Sequence, residues 1–277
     1  MDLISPNFSD LLEANIEIKQ FPDGENYVRI LEPVGKGEVR LFHRLYPNQD
    51  QLLIQVFLIL KTLKEKGAET TLVAPYLPYA RQDKIWKEGE AFSSKYICEM
   101  LAWAGVEKLI TFDCHFLKKE GEFEYNGLKI RNISLNRRLI EYAKKEFGKG
   151  LLVISPDMGA NYMVGPGGKS MEKKRGEYIE GNEAYRKIEE MNVDFEVKGK
   201  EVLIIDDIIA GGGTMIKAIE NMKKHGANKI YCCATHGLFL KDSLERIKGM
   251  CNGIFTSNTV LNSVSKVNFL GELDLKE

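Results

Sequence analysis

The stretch VLIIDDIIAGGGTMIKAI, residues 202–219, decides the fold. An apolar run of strand character leads into Asp206 and Asp207. Ile208, Ile209 and Ala210 follow, then Gly211, Gly212 and Gly213, then Thr214 and a helix with Met215, Ile219 and Met222 on one face. The spacing predicts a strand ending at the acidic pair, a tight turn and an amphipathic helix. Glycines let the backbone turn so that its N–H groups face a ligand. The helix start adds amides without intrahelical acceptors and the positive end of the macrodipole, a combination that suits phosphate. The carboxylates upstream cannot sit on that phosphate. They are placed to accept hydrogen bonds from sugar hydroxyls or to hold a divalent cation. A dinucleotide fingerprint lacks such an acidic pair. By itself the stretch also fits a plain helix-opening turn with a solvated acidic pair.

The same design recurs. QLLIQVFLILKTLKEKGAETTLVAPY (51–76), SSKYICEMLAWAGVEKLITFDCH (93–115) and GTMIKAIENMKKHGANKIYCCATHG (213–237) each open with apolar residues at helical spacing. Each stops at a glycine suited to a left-handed C-cap, Gly67, Gly105 and Gly226, and continues as a short apolar run. Runs without alternation are the mark of buried parallel strands. LLVIS (151–155) and EVLIID (201–206) read as two more. The expected class is α/β, with mainly parallel central sheets flanked by helices. Ligands in such sheets bind beyond the carboxyl ends of the strands. Polar clusters stand there: PYARQD (78–83), FDCH (112–115), SPD (155–157), DDIIAGGGT (206–214) and THG (235–237). Any one of them would pass as an ordinary turn.

Composition narrows the partners. The 277 residues carry a net charge of −1 with 29% charged and 44% hydrophobic residues, an ordinary globular balance that gives no reason to expect nucleic acid. Five cysteines, an odd count without C-x-x-C, argue against a disulfide scaffold or a zinc site and fit a reducing cytoplasm. The longest apolar stretch, 52–60, is interrupted by Gln55 and too short to span a bilayer, and the first ten residues lack the features of a signal peptide. The GPGGKS of residues 165–170 imitates a Walker A loop. However, Met163 stands where its first glycine belongs, and the preceding strand ends at SPD. The glycines and Pro166 read as a flexible, non-helical segment with Lys169 and Ser170 incidental.

The motifs FPDGENYVRI (21–30), APYLPYARQD (74–83), GEAFSS (89–94), FDCH, SPD, EKKR (172–175), the DD-GGGT loop and ATHGLF (234–239) occur in that order. The glycine loop resembles the ribosyl-phosphate loop of the type I phosphoribosyltransferase fold. The whole series, over roughly residues 17 to 265, resembles the ribose-phosphate pyrophosphokinase (phosphoribosyl pyrophosphate synthetase) family, in its short archaeal-like form. FPDGE and YARQD together separate it from plain phosphoribosyltransferases.

The resemblance implies two phosphoribosyltransferase-like domains, 1–134 and 135–277, with a site between them and the C-terminal tail packing on the first. It implies Mg²⁺-dependent transfer of the diphosphoryl group of ATP to the C1 hydroxyl of ribose 5-phosphate, with AMP released, in a homodimer or higher oligomer. Phe21, Asp23 and Glu25 match a hairpin that reaches the adenine, and Arg81, Gln82 and Asp83 match the ATP-binding turn. His115, on the ATP side, and Asp157 match magnesium-site residues. Asp206 and Asp207 match the ribose-hydroxyl carboxylates, Ala210, Gly211, Gly212, Gly213 and Thr214 the 5-phosphate loop, and Lys173 and Arg175 the catalytic pair. Diphosphoryl transfer asks for in-line positioning and positive charge. In an extended segment Lys173 and Arg175, two residues apart, face one target.

The chain departs from the pattern in places. Ala210 and Gly211 replace residues that usually carry side-chain contacts to the sugar phosphate, and Ala160 replaces a glycine. The segment between Asp157 and Lys173 is short, and DCH continues as FLKKE. Two other functions therefore stand beside synthesis: a nucleotide-binding regulatory subunit, and a salvage phosphoribosyltransferase.

Overall fold

The computed structural model describes residues 1–178 and 186–273 and divides the chain into two compact units, Met1–Ile133 and Ser134–Glu277. The first contains β1 (Asp2–Ile4), β2 (Ile16–Gln20), β3 (Asn26–Ile30), β4 (Gly37–Phe42), α1 (Gln49–Glu65), β5 (Ala68–Val73), α2 (Ser93–Ala104), β6 (Val106–Phe112), β7 (Gly121–Tyr125) and β8 (Leu128–Ile133). Its main sheet runs β1-β4-β5-β6-β8-β7, with every neighbouring pair parallel except β7 against β8. Strands β2 and β3 form a separate antiparallel hairpin.

The second unit holds α3 (Asn136–Phe147), β9 (Leu152–Ser155), β10 (Lys169–Ser170), β11 (Glu172–Tyr178), β12 (Arg186–Asn192), β13 (Glu201–Ile209), α4 (Gly213–Lys224), β14 (Lys229–Gly237), α5 (Ser243–Lys248), β15 (Gly253–Ser257) and β16 (Ser265–Val267). Its sheet, β10-β9-β13-β14-β15-β16, is parallel throughout, and β11 pairs antiparallel with β12. The α/β class with parallel sheets flanked by helices is the one expected.

Helix, glycine and strand follow one another as the sequence predicts. Gly67, Gly105 and Gly226 adopt φ of 78°, 117° and 77°, and each passes the chain from α1, α2 or α4 into β5, β6 or β14. The left-handed conformation ends the helix and turns the chain back onto the sheet, which costs a glycine little. Helix α1 buries Leu53, Val56, Ile59, Leu60 and Leu63 in the first core. Helix α4 buries Met215, Ile216, Ala218, Ile219 and Met222 in the second. A fully buried Leu, Ile or Met contributes roughly 1.5–3 kcal/mol, so each unit has its own apolar core.

Three expectations need correcting. Strand β13 does not stop at the acidic pair but runs through it to Ile209, with Asp206 opposite Ala234, Ile208 opposite His236 and Ile209 opposite Gly237. Two β-branched residues, Ile208 and Ile209, suit continued pairing with the long β14 and carry the ladder on. The short segment after SPD is not wholly non-helical: Met158–Met163 form a 3₁₀ helix, opened by the Asp157 carboxylate accepting the Gly159 amide at 2.8 Å. Ala160 and Met163 are buried, which drives the turn, and the glycines interrupt only the residues beyond Met163. Lys169 and Ser170 are not incidental either, since they form β10 beside β9. The Ser155 hydroxyl donates to Ser170 Oγ at 2.6 Å, and Ser170 donates to Asn161 Oδ1 at 2.6 Å. Gly168 is required there, because a Cβ would lie 2.4 Å from Val164 Cβ.

At the far end of the second unit Phe269 is fully buried and Glu272 ion-pairs with Arg138 of α3.

Candidate functional site

The glycine turn of the second unit is built by its neighbours. Gly212 caps α4 with φ of 76°, and a Cβ there would meet Ser243 Cβ at 3.0 Å and Ile247 Cδ1 at 3.2 Å. Conformation and space both demand glycine. The Ala210 carbonyl accepts the Leu240 amide at 3.0 Å and the Ser243 hydroxyl at 3.1 Å. The Ile209 carbonyl accepts the amides of Leu238 and Phe239 at 2.9 and 3.2 Å. The turn's carbonyls are thus tied back to the segment after β14. Helix α4 begins at Gly213, and its first amides have no acceptor inside the helix. Gly211 and Thr214 are half-buried, and Gly213 is exposed.

Asp206 and Asp207 are buried, with 7% and 5% of their surface exposed. Asp206 Oδ1 accepts the Asp207 amide at 3.0 Å, and Asp207 Oδ1 accepts the Ile208 amide at 2.8 Å. Both carboxylates are therefore held by the strand's own backbone, a few residues before Gly213 and Thr214. His236, on the neighbouring β14, is buried and shares a 2.9 Å hydrogen bond between Nδ1 and Thr259 Oγ1. The ATHGLF motif is in this way part of the same strand-end environment.

Asp157 opens the turn after β9 and is half-buried. Lys173 and Arg175 fall in β11, where Lys173 pairs with Met191 and Arg175 with Ile188. The ladder shifts register between Lys174 and Arg175, so the pairing is irregular where the sequence suggests a simple extended alternation. The side chains of both lie outside the described residues.

In the first unit the FPDGE motif forms the tip of the β2–β3 hairpin. The Phe21 amide donates to the Glu25 carbonyl at 2.8 Å, the Gly24 amide to the Phe21 carbonyl at 2.9 Å, and the Glu25 amide to Asp23 Oδ1 at 3.1 Å. Gly24 takes φ of 97° at the bend. Phe21 is half-exposed and meets Tyr27 edge-on at 6.0 Å, and Asp23 and Glu25 are exposed. The hairpin is anchored by a residue that first reads only as a break in an apolar run. Gln55 is buried in α1 and donates to Asn26 Oδ1 at 2.8 Å. A lone amide on the buried face of an amphipathic helix was the signal that something polar packs there.

Arg81, Gln82 and Asp83 follow Tyr79, whose φ of 62° bends the chain and whose hydroxyl donates to Asp50. Arg81 is exposed, and Gln82 and Asp83 are half-buried. The turn is stitched to the GEAFSS segment: the Ser94 amide donates to the Gln82 carbonyl at 3.2 Å, and Gln82 Nε2 reaches Glu90 Oε2 at 3.4 Å. Glu90 also accepts the Trp86 amide at 2.7 Å, and that bond holds its carboxyl below the usual range. His115 stands in the turn after β6, half-buried, just beyond the buried Asp113 with φ of 36°. Apart from Lys173 and Arg175, which lie within the antiparallel β11, each unit brings its own assigned residues to the carboxyl ends of parallel strands, to the turns beyond them or to a hairpin tip.

Among the described residues no three His, Cys, Asp or Glu side chains converge as a metal cluster. His115 and Asp157 supply one nitrogen and one carboxylate. Mg²⁺ prefers oxygen donors, takes few of them from protein and completes its shell with water and phosphate. Asp157 fits that donor set, and the imidazole of His115 fits it less well.

Residues 9–105 match the family model described as the N-terminal domain of ribose phosphate pyrophosphokinase, and residues 167–271 match the phosphoribosyl synthetase-associated domain. A ribose-phosphate pyrophosphokinase of Pyrococcus furiosus is 37% identical over 268 residues, covering 94% of this chain and 91% of the relative. That of Pyrococcus abyssi is 39% identical, covering 92% and 88%, and that of Sulfurisphaera tokodaii 36% identical, covering 95% and 92%. The crystal structure of phosphoribosylpyrophosphate synthetase from Mycobacterium smegmatis superposes with a TM-score of 0.77 at 21% identity, covering 97% of this chain and 92% of that one, a likeness of fold.

Proposed function

The chain belongs to the ribose-phosphate pyrophosphokinase family, and from that premise we propose that it transfers the diphosphoryl group of ATP to the C1 hydroxyl of ribose 5-phosphate. The C1 hydroxyl gives up its proton to solvent as its oxygen forms a bond to the β-phosphorus of ATP, the bond from that phosphorus to the αβ-bridging oxygen breaks, and AMP leaves with the bridging oxygen. The observation that carries the assignment is the buried pair Asp206–Asp207 at the end of β13, followed by the Gly212-capped start of α4.

In this mechanism the amides of 211–214 hold the 5-phosphate at the positive end of α4. Asp206 and Asp207 accept hydrogen bonds from ribose hydroxyls and orient the sugar. The loss of side-chain contacts at Ala210 and Gly211 leaves the phosphate to backbone donors. Phe21 stacks on the adenine, Asp23 and Glu25 accept from its edge or ribose, and Arg81, Gln82 and Asp83 hold the nucleotide. Lys173 and Arg175 place positive charge on the transferring group, where charge spreads over phosphate oxygens. Mg²⁺, with Asp157 and His115 among its holders, would neutralise phosphate charge when bound. Exposure of the FPDGE tip supports a homodimer or higher oligomer in which a second subunit meets it.

The test is to mix the purified chain with ATP, Mg²⁺ and ribose 5-phosphate and follow AMP and the 1-diphosphate product. Both form if the assignment is right. Retained ATP binding without AMP sinks it in favour of a regulatory subunit, and AMP only with another acceptor moves the substrate.

A further inference from the structure

Two helices of the first unit are apolar on both sides. Helices α1 and α2 follow one another as the crossovers of β4-β5-β6, which places them side by side on one face of the sheet. Their inner sides fill the first core, α2 with Cys98, Leu101 and Ala104. Their outer sides carry Ile54 and Leu58 on α1 and Tyr96, Met100 and Trp103 on α2. These are spaced three or four residues apart, so each helix shows a second apolar stripe. All five side chains are exposed, Trp103 to 69%. The stripes meet at the helix ends: the Lys61 ammonium lies 4.8 Å from the centre of the Trp103 ring, and Lys64 Nζ donates to the Trp103 carbonyl at 3.1 Å. A helix that faces water normally turns a polar side to it, and apolar residues all round mark one that is covered.

The charge on this side is mixed. Lys95 ion-pairs with Glu99 at 3.7 Å, and Lys61 rests on Trp103. A strongly acidic or basic partner finds no field to steer it there, whereas two identical faces do not repel one another. The area also fits a second copy. Five side chains of this size, about half exposed, leave on the order of 400 Å² of apolar surface open. Apposed about a two-fold axis, two such faces with their polar rims bury roughly 1,200 Å², the lower end of stable interfaces. Helix α1 is, moreover, the one that holds the FPDGE hairpin. Gln55 and Gln51 both donate to Asn26 Oδ1, at 2.8 and 3.4 Å, and Ile54 and Leu58 stand beside them on α1. The apolar face thus adjoins the hairpin that a second subunit meets in the mechanism above.

We propose that this face is the seam between two copies of the chain, with Ile54, Leu58, Tyr96, Met100 and Trp103 of one protomer packed on the same residues of its partner. The seam deepens the reading above and rests on it for its role in catalysis, since it is what brings the hairpin of one copy within reach of the other.

The full-length chain is followed by sedimentation velocity from sub-micromolar to tens of micromolar concentration. The expected wild type is a dimer or a larger even assembly, and Trp103→Glu halves its mass. Leu261→Glu, at an exposed apolar position of the second unit, leaves the mass unchanged. In Trp86→Phe, Trp103 is the single tryptophan left, and its emission moves to the blue as the assembly forms. Far-UV circular dichroism checks that Trp103→Glu has folded; if it has not, Met100→Lys on the same stripe takes its place. A wild type that stays monomeric at tens of micromolar overturns the seam and hands the face to another partner. A folded Trp103→Glu of wild-type mass overturns it too. AMP release is measured on the same samples, and Trp103→Glu is expected to raise the KM for ATP several-fold. A monomeric wild type that releases AMP sinks the seam and leaves the reaction standing. A Trp103-dependent dimer that releases none sinks the reaction and leaves the seam.

Discussion

Gly212 is the residue on which the phosphate turn depends. Any side chain there must adopt φ near 76° and press against Ser243. Gly212→Ala is expected to cost about 1–3 kcal/mol of stability, seen as a lower urea midpoint, and to raise the KM for ribose 5-phosphate while leaving that for ATP unchanged. Asp206→Asn and Asp207→Asn keep an oxygen for the backbone amide but remove the charge. Each is expected to lower kcat/KM for ribose 5-phosphate roughly ten- to a hundredfold, the worth of a charge-assisted hydrogen bond. His43 sets a pH dependence away from these groups. It is wholly buried against Ser5, and burial lowers its pKa from 6.5 to about 4. The folded ring stays neutral, so between pH 6.5 and 4 the unfolded chain takes up a proton that the folded chain refuses. Stability is full above that window and falls as pH drops through it. The loss is about 2 kcal/mol at pH 5, and His43→Gln is expected to flatten that part of the curve in urea melts at about pH 5 and pH 7.5.

At the scale of elements, the β2–β3 hairpin gives the sharpest contrast between stability and function. Its tip is exposed, so Phe21→Ala is expected to shift stability by no more than about 0.5 kcal/mol while raising the KM for ATP several-fold. Gln55→Leu tests the anchor. It leaves Asn26 without its 2.8 Å donor, and should cost about 1–3 kcal/mol and weaken ATP binding even though Gln55 reaches no nucleotide in the proposed mechanism. The helix–glycine–strand units were legible because a left-handed glycine is a local demand that the residue itself announces. The glycine turn was legible for the same reason. Features set by neighbours in space escaped. Nothing local says that β13 continues through two aspartates; pairing with β14 decides it. Ser170 acquires its role only once Ser155 and Asn161 are brought to it. The β7–β8 hairpin was there to be found: Asn126 and Gly127, with φ of 50° and 77°, join Tyr125 to Leu128, and Asn-Gly between strand residues is a strong hairpin signal.

For the molecule as a whole, the two units carry separate buried cores, while the residues assigned to ATP and to ribose 5-phosphate divide largely between them. Residues 1–133 and 134–277 expressed apart should each unfold cooperatively in urea, and neither alone should release AMP. The short 158–170 segment shows why the amino-acid pattern was less informative here: its order comes from Val164, Ser155 and β9, none of which its glycines disclose.

The parallel sheets also constrain how the protein comes to exist. Within the described residues, every pairing in the sheet of the second unit joins strands that run the same way. No such pair is closed by a tight turn, so each waits on a crossover whose ends must first meet. The antiparallel hairpins close locally, on microsecond timescales, whereas contacts distant along the chain are reached slowly. On a growing or refolding chain, the FPDGE hairpin can therefore take shape early. The strand end carrying Asp206 and Asp207 waits until β14, further along the chain, has emerged to cover it.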